Sequence, residues 1–380
     1  MHTIKSNYRD NYIDYLRLIT IVAVVILHTV MTYSGIANWH YIEEQAMGDL
    51  SRLISALVVT FINGYSMGFL FLISAYYTAK SYAKKGKKEY ITGRLYRLGL
   101  PVLLFVLFIY PLTMYLLYIA GEKKVPKDNF WLYLKEYITT GEFLDSSGPL
   151  WFAFALLIFS IIYAIMGKKR EVSAKHLPNT SIIILTIILV GTGSYFVRLV
   201  FPIGFEFLNM PLSNFAQHIA SFIIGIKAYQ YGWFNQVRYK VAKRWLIGSI
   251  VIGIISWLAL ILMGGVIEHG DHIIKGKLNW QSYVYAVWES FICFGMSVGL
   301  IGFFRKKFNT KSRLLVILSK NSFSVYVWHT LVLVAVSLLM RDLVIYPLVK
   351  MMLVAVTTLS LCFFLSHYVF RALPILKKIM

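Results

Sequence analysis

Ten apolar stretches, each long enough to cross a bilayer, leave this chain few folds to choose from. They lie at roughly 13–34, 54–79, 98–119, 149–167, 181–201, 212–231, 245–264, 281–303, 321–340 and 345–370. About 20 apolar residues span the hydrocarbon core as a helix. Inside lipid the backbone must satisfy its own hydrogen bonds, so runs of this length form helices. Composition agrees, with 58% hydrophobic and only 14% charged residues, well outside soluble averages. The expectation is an all-α fold: a polytopic transmembrane helix bundle of about ten helices. No Gly-, Ser- or Pro-rich linker divides the chain, so residues 1–380 read as a single transmembrane domain. Cys293 and Cys362 both fall in apolar runs and suggest neither a disulfide framework nor a thiolate metal site. Arg17 interrupts the first run and no small-residue cleavage site follows it, so a cleavable signal peptide is not expected.

Charge orders the connections. With ten crossings, 27 of the 38 basic residues fall on one side, among them Lys80, Lys84, Lys85, Lys87, Lys88, Arg94 and Arg97. The opposite side collects 12 of the 17 acids, including Glu43, Asp49, Glu142 and Asp145. By the positive-inside rule the basic side is cytoplasmic and both termini lie there. The net charge of +21 is then mostly a topology signal facing the lipid bilayer, and it calls for no nucleic-acid partner.

Against that background the ionisable residues inside the spans stand out, because each costs about 2.5–3.5 kcal/mol on insertion scales. Arg17 and His28 are eleven residues apart, about 20° past three full turns, so they share a face of the first helix. Asp14 is placed to pair with Arg17. Snorkelling of Arg17 and a helix–helix hydrogen bond of His28 explain the pair equally well at this point. Glu289 and His329 are also buried in apolar surroundings, Glu289 at a depth close to that of His28 and His329 somewhat nearer the cytoplasm. With His28 they are candidates for an intramembrane acid–base cluster, suited to proton or acyl transfer. Arg94 and Arg97, at i and i+3 where the third helix opens, suit a phosphate-rich ligand such as a nucleotide or coenzyme A. Ordinary positive-inside charge explains them too.

Weaker signals remain. Glu268-His269-Gly-Asp271-His272 reads as a solvated loop rather than a metal site. His218 and His367 are expected near opposite membrane surfaces, and Arg198 at an outer helix end suits either snorkelling or contact with an external substrate. Residues 121–148 contain a candidate interfacial helix.

Taken together these residues resemble the acyltransferase-3 family of integral membrane acyltransferases. The resemblance rests on Asp14-Tyr-Leu-Arg17 with its spacing to His28, then Phe71-Leu-Ile-Ser74, Arg94-x-x-Arg97, Leu150-Trp-Phe152 and Ser324-Val-Tyr326-x-x-His329, in family order. Met31-Thr-Tyr33-Ser-Gly35 and the segment from Gly225 to Trp233 are most similar to the branch of the glucan-succinylating membrane protein of osmoregulated glucan synthesis. The resemblance implies a plasma-membrane (inner-membrane) enzyme that moves an acetyl or succinyl group from cytoplasmic acyl-coenzyme A to a glycan or other envelope acceptor, without a metal. His28 would be the catalytic histidine, as general base or transient acyl carrier, and Arg17, Arg94 and Arg97 would hold the donor. With no soluble catalytic domain expected after residue 380, transfer would occur within the bundle or with a separate partner protein. The competing reading is a secondary transporter or glycan exporter, for which buried His and Glu residues form a proton relay.

Overall fold

The computed structural model describes residues 11–43, 47–123, 129–166, 173 and 175–372. In chain order the helices are α1 (Asn11–Ser34), α2 (Asp49–Lys85), α3 (Lys87–Ile119), α4 (Phe130–Thr139) and α5 (Gly148–Met166). They continue as α6 (Thr180–Val200), α7 (Phe215–Tyr231), α8 (Tyr239–Met263), α9 (Trp280–Lys307), α10 (Arg313–Leu339) and α11 (Pro347–Phe370). A two-residue hairpin pairs Glu206–Phe207 with Met210–Pro211. The protein is an all-α, multi-pass membrane bundle: among the described residues nine helices are long and apolar enough to cross a membrane. α4 is the short helix expected in the loop 121–148, capped by Asn129 and exposing Trp131 and Leu132. Asparagine or serine side chains likewise cap α6, α9 and α10, satisfying amides that lipid could not.

The sixth apolar stretch forms α7, which at 17 residues is shorter than the other spans. Its neighbours show that it nonetheless runs the depth of the bundle. Gln217 donates to the Gly64 carbonyl at 3.0 Å, Gly225 lies against Leu72, and Tyr229 meets Tyr76. Equal steps along both helices mean that α7 runs parallel to α2. Behind α7, Ser173 donates to Gln230 and Trp233 to His176, so the chain returns to the side from which α6 sets out. A Cβ at Gly225 would sit 2.2 Å from the Leu72 carbonyl oxygen, so only glycine allows this approach.

Contacts at the helix ends define two faces. At one, Tyr15 in α1 donates to Thr310, just before α10; Tyr82 in α2 reaches Ala164 in α5; and Asn321 in α10 meets His367 in α11. At the other, Ser51 bonds Tyr346, Arg341 donates to Ala120, and Ile203 donates to Lys275. α1 therefore begins and α11 ends at the same face, the one that carries most of the basic residues.

α3 departs from regular geometry. It widens into π turns at Leu95–Gly99 and Phe105–Ile109, shortly before Pro101 and Pro111. A proline supplies no N–H to the carbonyl four residues earlier and its ring crowds it, and a widened turn relieves the clash.

Candidate active site

His28 and His329 meet in the middle of the bundle. His28 Nδ1 and His329 Nε2 are 2.8 Å apart, and the ring centroids are separated by 5.1 Å at an interplanar angle of 9°. That short contact with nearly parallel rings sets the two imidazoles edge to edge in one plane. The expected offset in depth is absent, because both helices start at the same face and extend further than the apolar runs alone indicate. His28 is seventeen residues after Asn11 and His329 sixteen after Arg313, so the two rise almost equally from that face.

The hydrogen-bond chain decides which nitrogen carries which proton. His329 Nδ1 lies 2.8 Å from the Tyr326 carbonyl oxygen, and a carbonyl only accepts, so this nitrogen bears the hydrogen. In neutral His329, Nε2 is then a lone pair, and it accepts from His28 Nδ1–H. His28 Nε2 is left as the basic nitrogen. His329 is fully buried, whereas His28 is half-buried, so His28 is the member that a substrate can reach.

The motifs of α2, α5 and α10 hold this pair. The Tyr326 hydroxyl donates to the Pro149 carbonyl at the start of α5. Phe152 packs edge-on against Tyr326 and also against Phe71 of α2. On the other side of His28, the chain leaving α1 folds back as a strap. Trp39 stacks on the His28 ring at 4.0 Å and 12°, and His40 lies beside Trp39 and edge-on to Tyr110. Glu43 secures the strap: its amide donates to Thr32 at 2.8 Å, and its carboxylate accepts from Lys350 Nζ at 2.6 Å. Burial, with Lys123 and His329 in electrostatic range, lowers the His40 pKa to about 3 and keeps the ring neutral. Helical spacing could not have found Trp39 and His40, since they lie beyond the helix and reach His28 only through the strap's reversal.

Three arginines lie below, toward the basic face. Arg17 meets Asp14 at 3.5 Å and sits over the Tyr77 ring. Arg94 turns inward, donating to the Tyr90 hydroxyl and to Thr78 Oγ1, each at 3.0 Å, with Arg17 and Arg97 close enough to repel its charge. Arg97 instead points outward into an open cleft of about 640 Å³ that it lines with Lys85, Lys88, Glu89, Thr92, Gly93 and Tyr96. The expectation of a shared face at a helix N-terminus is therefore corrected. α3 starts at Lys87, two turns earlier, so the amides at 94–97 are already within the helix, and the π turn after Arg94 rotates Arg97 away.

Glu289 is not in the histidine cluster. Its carboxylate accepts from Arg198 of α6, and the guanidinium also donates to Asn214 Oδ1 at 2.7 Å and to the Ser213 carbonyl. The expected acid–base cluster thus loses Glu289, whose face of α9 turns toward α6, and Arg198 is buried rather than snorkelling. His218 is likewise buried, packed by Phe71, Trp151 and Phe215 instead of reaching water. In the loop 268–272, Asp271 pairs with Lys275 and His269 with the Gly265 carbonyl.

A family model described as an acyltransferase domain matches residues 10–367. The chain belongs to the acyltransferase-3 family. It is a multi-pass membrane acyltransferase, and the matched region runs from just before α1 into the last turns of α11, so it takes in the histidine pair, the strap and the arginines. No curated protein and no solved structure matches the chain.

Proposed function

We propose that this acyltransferase takes an acetyl or succinyl group from cytoplasmic acyl-coenzyme A and passes it to a hydroxyl of a glycan or other envelope molecule. The observation that carries the reading is the coplanar His28–His329 pair, which presents a basic nitrogen above a cluster of arginines. Its charge assigns the basic face to the cytoplasm, which puts both termini there, and the likeness to the glucan-succinylating branch supports a plasma membrane. Phosphates of the donor would rest on Arg97 and its lysine neighbours, with Arg94 and Arg17 meeting the negative charge that enters the bundle. The succinyl alternative rests on the likeness of Met31–Gly35 and Gly225–Trp233 to the glucan-succinylating branch.

In this mechanism the acceptor hydroxyl gives its proton to His28 Nε2 as its oxygen attacks the thioester carbonyl. The carbon–sulfur bond breaks, and the proton passes from the imidazolium to the departing sulfur, leaving an ester and free coenzyme A. His329 orients His28 and strengthens its hydrogen bond when His28 becomes charged. Glu289 is assigned to holding Arg198, not to the chemistry. No metal enters this scheme.

The test is thiol release from acetyl- and succinyl-coenzyme A by purified protein, beside His28→Ala. Loss of a general base lowers the rate by about 10²–10⁴-fold, so His28→Ala should fall in that range while donor binding persists. A variant that keeps wild-type turnover removes His28 from the mechanism. Double replacement of Arg94 and Arg97 by alanine should weaken donor binding, and unchanged affinity would return both to a topological role.

A further inference from the structure

We propose that Trp39 and His40, on the strap that closes over His28, form a subsite for a second, non-reacting hydroxyl group of the acceptor, beside the one that gives its proton to His28. The assignment rests on the acyl-transfer reading and extends it to a part of the chain that the donor does not need.

Two polar atoms on this strap are left unmet beside the reactive histidine. Trp39 Nε1 and His40 Nε2 are both buried, and neither has a hydrogen-bond partner among the described residues. A stranded buried donor or acceptor is costly, and a ligand that meets it recovers that cost on binding. Both belong to the strap segment that touches the reactive histidine, with the Trp39 ring 4.0 Å from that of His28 and the His40 ring 4.7 Å from that of Trp39. The strap is held by the buried Lys350–Glu43 pair at its far end, so the two side chains are positioned rather than loose.

Their chemistry is complementary to an alcohol. An indole N–H can only donate, and a neutral imidazole can offer a lone pair. A hydroxyl oxygen accepts from the first while its hydrogen is given to the second. An ammonium group has no lone pair for Trp39. In the tautomer that leaves Nε2 a lone pair, His40 disfavours a carboxylate, which has no hydrogen to give it. The strap also lies beyond His28 from Arg17, which is eleven residues and about 16 Å nearer the basic face along α1. Donor and acceptor therefore approach His28 from opposite directions, and neither need leave before the other arrives.

The experiment uses the full-length enzyme with Trp39→Phe, which keeps a flat ring against His28 but removes the N–H, and His40→Phe, which keeps the bulk but removes the lone pair. Thiol release from acetyl- and succinyl-coenzyme A is followed while methyl β-glucoside and glycerol are varied as hydroxyl probes, and binding of the donor is measured in each variant. One lost hydrogen bond predicts a rise of about 3- to 10-fold in KM for the probe alcohol, with donor affinity at the wild-type value. Unchanged acceptor KM in both variants would overturn the assignment while leaving the proposed function intact. Parallel loss of donor affinity would also overturn it, by making the strap merely structural, as would wild-type turnover that neither alcohol accelerates. Wild-type protein that releases no thiol from either donor would instead remove the proposed function, and this subsite with it.

Discussion

Replacing His329 tests the central geometry without touching the reactive nitrogen. With His329 in place, His28 Nδ1–H has an acceptor 2.8 Å away, which selects the tautomer with a lone pair at Nε2. Without that acceptor the same tautomer strands a buried N–H at a cost of about 1–3 kcal/mol. The opposite tautomer, which carries its hydrogen on Nε2 and cannot serve as a base, becomes favoured. At about 1.4 kcal/mol per tenfold, the reactive fraction shrinks by about 5- to 150-fold, so kcat in His329→Leu should fall by about 10- to 100-fold with the donor KM unchanged.

Two amide variants sharpen the test, because His329 uses its nitrogens differently. The amide oxygen of His329→Gln can take the place of Nε2 as acceptor for His28. The amide nitrogen of His329→Asn can replace only Nδ1, the donor to the Tyr326 carbonyl. Glutamine should therefore retain more activity than asparagine, in steady-state thiol release from acetyl-coenzyme A with protein of equal thermal stability. Asparagine equal to or better than glutamine would refute the tautomer argument, since it would mean that His329 serves only to tie down its own helix.

Three further outcomes follow from particular contacts. The His40 pKa is depressed from 6.5 to about 3, so the unfolded state takes up the proton first as pH falls; its contribution to stability is full above about pH 6.5 and declines toward pH 3. Between pH 7 and 5 that loss is about 2 kcal/mol, and thermal unfolding of His40→Phe in detergent should show a shallower acid dependence than the wild type by about this amount. Glu289→Gln leaves Arg198 buried beside a neutral amide, so it should destabilise by about 3–5 kcal/mol while the folded fraction keeps kcat; loss of kcat without loss of thermal stability would return Glu289 to the chemistry. Gly225→Ala forces a Cβ against the Leu72 carbonyl and should lower stability by about 1–3 kcal/mol through overpacking; a neutral result would show that α2 and α7 do not approach this closely.

The bundle was legible because lipid permits few alternatives, and the ionisable residues because lipid makes them costly. What hydropathy misjudged was where helices begin. Apolar runs mark the part of a helix that lies in hydrocarbon, whereas the helix continues into polar flanks. α10 starts at Arg313 rather than near residue 321, and α3 at Lys87 rather than near 98. The first extension raises His329 to the level of His28, and the second takes Arg94 and Arg97 away from a helix terminus. The pairing of Glu289 with Arg198 was out of reach for a different reason. They lie 91 residues apart, and periodicity within one helix says which face a residue occupies but not which helix that face meets.

The same limit explains why the strap was missed, and what it adds. Nothing in Gly35-Ile-Ala-Asn-Trp39-His40 repeats with a helical or strand period, so its aromatic residues carry no sequence signal of burial. They acquire one from a tertiary contact, the Lys350–Glu43 pair, which joins the end of the strap to α11 across 307 positions. A buried ion pair is seldom a net gain in stability over apolar packing, but it is specific, because each charge left alone is heavily penalised. Here that specificity is spent on one geometry: a strap closed over His28 with an unpartnered indole N–H and an unpartnered imidazole nitrogen. A pair kept only for stability would tolerate joint replacement by methionine and leucine with catalysis intact. A pair kept to set the strap would recover stability on joint replacement yet lose the preference for alcohols.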